Sequence, residues 1–112
     1  MKLLCKGKKV DGVNYFLEYI KIVNPKIIIS FTDNSIFLFI IKNFFPKIKI
    51  LVVQNGMRNN IFFNTLKADK TLKSDVIFTW GKNITEKYKK YIKTKTIILG
   101  SLKNNQIRKN RK

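Results

Sequence analysis

The chain predicts an α/β fold, a Rossmann-like parallel sheet of about four strands with flanking helices, and three observations carry that prediction. Four short apolar runs recur along it, at residues 26–32, 48–53, 75–80 and 96–99. Each ends in a small polar cluster: Asp33-Asn34-Ser35, Gln54-Asn55-Gly56, Gly81-Lys82 and Gly100-Ser101. Between the runs lie stretches with helical spacing of apolar residues, or room for a crossover helix. Runs that are apolar throughout, without alternation, are expected of strands buried on both faces of a parallel sheet. In such a sheet all carboxyl ends share one rim, and ligands bind in the crevice outside it. The four polar clusters are therefore expected on one functional rim.

Each element follows from its own residues. Residues 1–11 are basic and weakly patterned, an arm ahead of a domain expected to span 12–102. Val13, Phe16, Leu17, Ile20 and Val23 recur at three- and four-residue spacing, the period of an amphipathic helix over 12–23. Asn24-Pro25 stops it, because the proline ring disfavours helical geometry at the residue before it. The first strand follows, with Ile27, Ile28 and Ile29 in succession. Asp33, Asn34 or Ser35 can cap the next helix, 35–45, which Pro46 ends. That helix is apolar all round. Its surplus of Leu38, Phe39 and Phe45 calls for cover, by adjacent helices or by a partner domain, a second copy or a membrane.

Between the second and third strands lie about 20 residues, too many for a bare loop, so a short helix over 65–73 is expected to make the crossover. After the third strand Gly81 turns the chain into a helix from Asn83, where Asn83 and Glu86 have the form of a capping box. Ile84, Tyr88, Tyr91 and Ile92 make its inner face, and Lys82, Lys87, Lys89, Lys90 and Lys93 its solvated one. Beyond the fourth strand, residues 103–112 are a basic, linker-like tail.

Composition narrows the functions available. At 112 residues the chain makes one domain. Its 24 Lys and Arg against 6 Asp and Glu leave a formal charge of +18. Only Arg58, Arg108 and Arg111 are arginines, and the lysines are spread along the whole chain. With the abundant Asn, Ile and Phe, they match A/T-rich codon usage. A nucleic-acid reader clusters Arg and Lys on one face, so nucleic acid is not the expected partner. Cys5 stands alone and there is no His, which excludes a disulfide framework, His metal ligation and imidazole acid–base chemistry. No cofactor or metal is expected. Lys2 and Lys6 interrupt any signal-peptide core, and the most apolar stretch, 27–41, carries Asp33 and Asn34 at its centre and falls short of the about 20 residues of a membrane span. The expectation is a cytoplasmic protein, with peripheral contact to the anionic inner face of the membrane as a further option.

Six residues are the candidates for substrate binding: Asp33, Asn34, Gln54, Asn55, Gly56 and Arg58. Asp33 and Asn34 sit where a strand meets a helix start, whose N–H groups can hold an anion or hydroxyl; plain helix capping is the simpler account of them. Gln54 and Asn55 are amides suited to hydroxyl-rich ligands, Gly56 permits positive φ and close backbone approach, and Arg58 can clamp a phosphate or carboxylate. Asn-Gly is also a common turn. Trp80-Gly81-Lys82 offers either an aromatic platform or a core tryptophan, and Ile61-Phe62-Phe63 either a contact for a lipid-linked substrate or core. Neither a dinucleotide fingerprint nor a P-loop follows any strand, and no carboxylate pair stands out as catalytic.

Taken in order, Ile29–Asn34, Val53–Arg58, Asp75–Lys82 and Leu99–Ser101 resemble part of the N-terminal domain of bacterial surface-carbohydrate biosynthesis proteins. That group is similar to GT-B-type glycosyltransferases and glycerophosphotransferases. The resemblance covers roughly residues 24–102. It implies one half of a two-domain enzyme moving a sugar or polyol phosphate from a nucleotide donor to a glycan or lipid-linked acceptor. The N-terminal half would hold the acceptor, and a missing C-terminal domain or second subunit the nucleotide. Where many relatives have His-Gly, this chain has Asn55-Gly56. On this reading the chain is a partial or split transferase, inactive alone. The rival readings are a small basic polyanion-binding protein and a remnant without function.

Overall fold

The computed structural model describes residues 12–101. The basic arm, Cys5 and the tail expected at 103–112 lie outside them. Four helices alternate with four strands: α1 Gly12–Val23, β1 Ile27–Ser30, α2 Ile36–Phe44, β2 Lys49–Val53, α3 Asn60–Leu66, β3 Lys73–Thr79, α4 Lys82–Tyr91 and β4 Lys93–Ile98. All pairings are parallel and the strand order is β1-β2-β3-β4. The α/β, Rossmann-like sheet with flanking helices is as expected.

Local chemistry sets most boundaries. α1 ends where Asn24 turns left-handed, at φ 48°, and donates its N–H to Ile20 O at 2.8 Å. Asparagine tolerates that conformation better than other residues with a side chain, and the following proline forbids another turn. α2 is bound to the sheet by Lys42, whose ammonium donates to Ile48 O and to both carboxylate oxygens of Asp75 on β3. Asp75 also accepts the Ile50 N–H at 2.7 Å, so one carboxylate joins α2, β2 and β3.

Three expectations need correction here. The crossover helix lies at Asn60–Leu66, ahead of the expected 65–73, because the Asn59 side chain accepts the Phe62 N–H and starts the helix there. α4 begins at Lys82 with Gly81 as its cap, so Asn83 lies inside the helix and makes no capping box with Glu86. At α2, Ser35 occupies the cap position without a side-chain bond to the helix, and Asp33 is engaged elsewhere.

The core lies on one side of the sheet. Ile50, Val52 and Ile77 are fully buried there against Phe39 and Ile41 of α2, Phe63 and Leu66 of α3, and Tyr88 of α4, with Ile92 just beyond α4. When successive parallel strands are added in one direction, right-handed crossovers put every connecting helix on the same face. The expectation of strands buried on both faces is thereby overturned: β1 alternates, with Ile27 53% and Ile29 60% exposed. The surplus expected on α2 is largely absorbed, since Leu38 and Phe39 are buried and Phe45 is half-buried. Apolar side chains stay exposed instead on α1, where Tyr15, Tyr19, Ile22 and Val23 face outward, and on the outer strands β1 and β4.

Candidate functional site

The carboxyl ends of the strands do gather the polar clusters on one rim, and a buried carboxylate organises it. Asp33, in the turn after β1, is fully buried. Its Oδ1 accepts the Asn55 N–H at 3.1 Å and Arg58 Nη2 at 2.5 Å. Its Oδ2 accepts Arg58 Nε at 2.8 Å and the Tyr88 hydroxyl, which arrives from α4. Four donors saturate this carboxylate, as burial of a charge requires.

Arg58 is equally committed. Nη2 also donates to Asn55 Oδ1 at 2.6 Å, Nη1 donates to Met57 O, and the guanidinium lies 5.8 Å from the Phe62 ring centre. The hydrogen bond to Asp33 raises the Arg58 pKa above its already high ordinary value, although burial works against it. Burial pushes the Tyr88 hydroxyl well above the usual tyrosine range, and Asp33 adds to the shift through its hydrogen bond and its charge. Tyr88 is a neutral donor over the whole physiological range.

Gln54, also buried, joins the ends of β2 and β3. Its Nε2 donates to Gly56 O, its Oε1 accepts the Trp80 N–H, and its main-chain carbonyl accepts the Trp80 indole N–H, each at 2.8–2.9 Å. The indole is thus held at a fixed angle over the rim. Thr85 locks the next turn, donating to Gly81 O at 2.7 Å and meeting the Thr79 hydroxyl at 2.5 Å. Gly56 does not take the positive φ expected of it; Gly100 does, at 75°. A Cβ at Gly56 would make only ordinary van der Waals contact with the Arg58 guanidinium, nearest at 3.5 Å, so space does not demand glycine there.

Of the six sequence candidates, then, Asp33, Gln54, Asn55, Gly56 and Arg58 come together in one hydrogen-bonded loop system, while Asn34 stands exposed beside it. Tyr88 joins the cluster from an inner helical face where its spacing spoke only of core. Two hollows flank the cluster. One, of about 350 Å³, is formed by Gln54, Met57, Trp80, Lys82 and the first turn of α4. The other, of about 550 Å³, lies between α1 and α2, with Val13, Phe16, Phe37 and Leu38 as its walls and Ser30, Thr32 and Ser35 supplying hydroxyls.

Among the described residues no group of three His, Cys, Asp or Glu side chains stands close enough to hold a metal ion, and no helix is long and apolar enough to cross a membrane.

No curated protein and no solved structure matches the chain. Residues 51–112, more than half of it, match the sequence model of a family described as "putative O-antigen biosynthesis protein". The match takes in Gln54, Arg58, Trp80 and Tyr88 but leaves out Asp33, the carboxylate that holds Arg58 and Tyr88 together. By that match over β2 to β4 and the rim loops between them, the chain belongs to this family of O-antigen biosynthesis proteins.

Proposed function

We propose that this domain is the acceptor-side part of a surface-carbohydrate transferase of GT-B type, and that a second domain or subunit supplies the nucleotide-linked donor. The observation that carries the reading is the rim hollow at Trp80. There a fixed indole, the exposed Met57 and the Lys82 side chain surround about 350 Å³ at the ends of β2 and β3. An aromatic face suits the apolar side of a sugar ring or polyol, and an ammonium suits a phosphate. The larger apolar hollow beside α1 offers a place for the lipid part of a lipid-linked acceptor. In this reading Asp33, Gln54 and Arg58 shape the rim, since their polar atoms are spent on one another and on the backbone. Exposed Asn34 and Asn55 flank the acceptor path.

Trp80 is the single tryptophan of the chain, so its emission reports on this hollow alone. Titrating the full chain with glycerol 3-phosphate and with a hexose 1-phosphate should change that emission saturably, and Lys82→Ala should weaken the effect at least tenfold. Unchanged emission up to tens of millimolar would overturn the reading. Binding only to duplex DNA, with log affinity falling against log salt, would transfer the case to the polyanion-binding alternative.

A further inference from the structure

The face of the sheet opposite the helices is only partly covered among the described residues: Val53 is buried and Leu51, Val76 and Phe78 are half-buried, while Ile27 and Ile29 of β1 stand exposed. Register places Ile29, Leu51, Val76 and Lys95 side by side in one row, and Val53, Phe78 and Ile97 in the next. Ile29 is 60% exposed and Ile97 37%, whereas Ile50, Val52 and Ile77, pointing the other way, are fully buried. Lys49 and Lys93 are exposed on the same face at the amino ends of their strands, and Lys95 is exposed at the β4 end of the first row. The five acidic residues of the described stretch lie elsewhere: Glu18 on α1, Glu86 on α4, Asp33 and Asp69 in loops, and Asp75 turned toward Lys42 of α2. Apolar rows and exposed lysines thus share one face.

We propose that an acidic helical protein partner covers it: one or two amphipathic helices whose apolar stripe lies across Ile29, Leu51, Val76 and Phe78 and whose carboxylates meet Lys49, Lys93 and Lys95. The occupant is helical because all-parallel sheets occur almost only with helices on both faces. It is acidic because the rim of the patch carries lysines and no acid to balance them. A second copy would set three lysines against three and one chain of net charge +18 against another. A bilayer would draw the Lys95 ammonium below the headgroups along with the apolar row it shares. A partner glutamate can meet that ammonium where it stands. The inference is independent of the reading of the rim hollow.

The test uses the full chain and two synthetic amphipathic helices, each with a leucine stripe, one flanked by glutamates and one by lysines. Fluorescence anisotropy should show saturable binding of the glutamate-flanked helix only, weakened at least tenfold by Ile29→Lys. The Lys49→Glu/Lys95→Glu variant should reverse the preference, binding the lysine-flanked helix at least tenfold more tightly than the other. It replaces only exposed side chains and so serves even where Ile29→Lys fails to fold. Equal binding of the two helices overturns the proposal, as does binding that survives Ile29→Lys in folded protein. So does a dimer in sedimentation equilibrium that Ile29→Lys dissolves, or tighter binding to phosphatidylglycerol vesicles than to the glutamate-flanked helix.

Discussion

Asp33 shows how far one buried carboxylate reaches: a strand end, a loop and a helix all depend on it. Removing one partner of a buried ion pair costs about 3–5 kcal/mol, because the other charge is left without compensation. Asp33→Ala should therefore lower unfolding free energy by about that much in urea titration, the larger share of a small domain's stability. The Arg58→Met/Asp33→Leu pair should recover much of the loss, since no lone charge remains. Tyr88 gives a pH signature. Its folded pKa is raised, so above pH 10 the unfolded chain releases the proton that the folded chain retains. Its stabilising contribution is complete below the unfolded value and fades as pH rises beyond it. Tyr88→Phe should cost about 1–3 kcal/mol at pH 7 and flatten the decline between pH 9 and 11, read by chemical denaturation at each pH. None of this network was legible in the sequence. Asp33, Arg58 and Tyr88 are far apart along the chain, and the spacing that placed Tyr88 on an inner helix face says nothing of where its hydroxyl points.

At the scale of elements, helix and strand identity were legible because apolar spacing and breakers agree: Val13 to Val23 at helical period, then Asn24-Pro25. α1 has the bounds its spacing predicts. α3 was misplaced because its cap, Asn59, closes a polar stretch that reads as loop, and Ile61, Phe62 and Phe63 just after it read as a substrate contact or core without a helix to carry them. Capping at Asn83 failed for the opposite reason. The motif was present, but the Thr85 bond to Gly81 O starts α4 a residue earlier. The tie between elements is testable at Asp75. Burial alone would raise its pKa, but the Lys42 hydrogen bond, the Ile50 amide and the charges of Lys42 and Lys49 together hold it below the ordinary 3.8. Its contribution is present above that value and lost as pH falls through the folded pKa. Asp75→Asn should cost about 1–2 kcal/mol at pH 7 and almost nothing at pH 2, with the difference closing below about pH 4 in acid titrations followed by circular dichroism.

For the molecule as a whole, a charge of +18 on one small domain means self-repulsion that salt relieves. Raising NaCl from about 20 to 200 mM should stabilise the fold by on the order of 1 kcal/mol, a rise in Tm of about 4–8 °C in calorimetry. The one-sided sheet was hidden at sequence level, because an apolar run reads the same whether its second face meets a helix or nothing. Strand order has a further consequence, for the path by which the fold assembles. Each strand pairs only with its neighbours in the chain, so every ladder closes a loop of about 20–25 residues and no strand is inserted between two already formed. Such local closure favours rapid folding for a parallel sheet, with units added one after another as the chain is made. Amide exchange should then be slowest at β2 and β3 and fastest at the outer strands, the last to be secured and the first to let go.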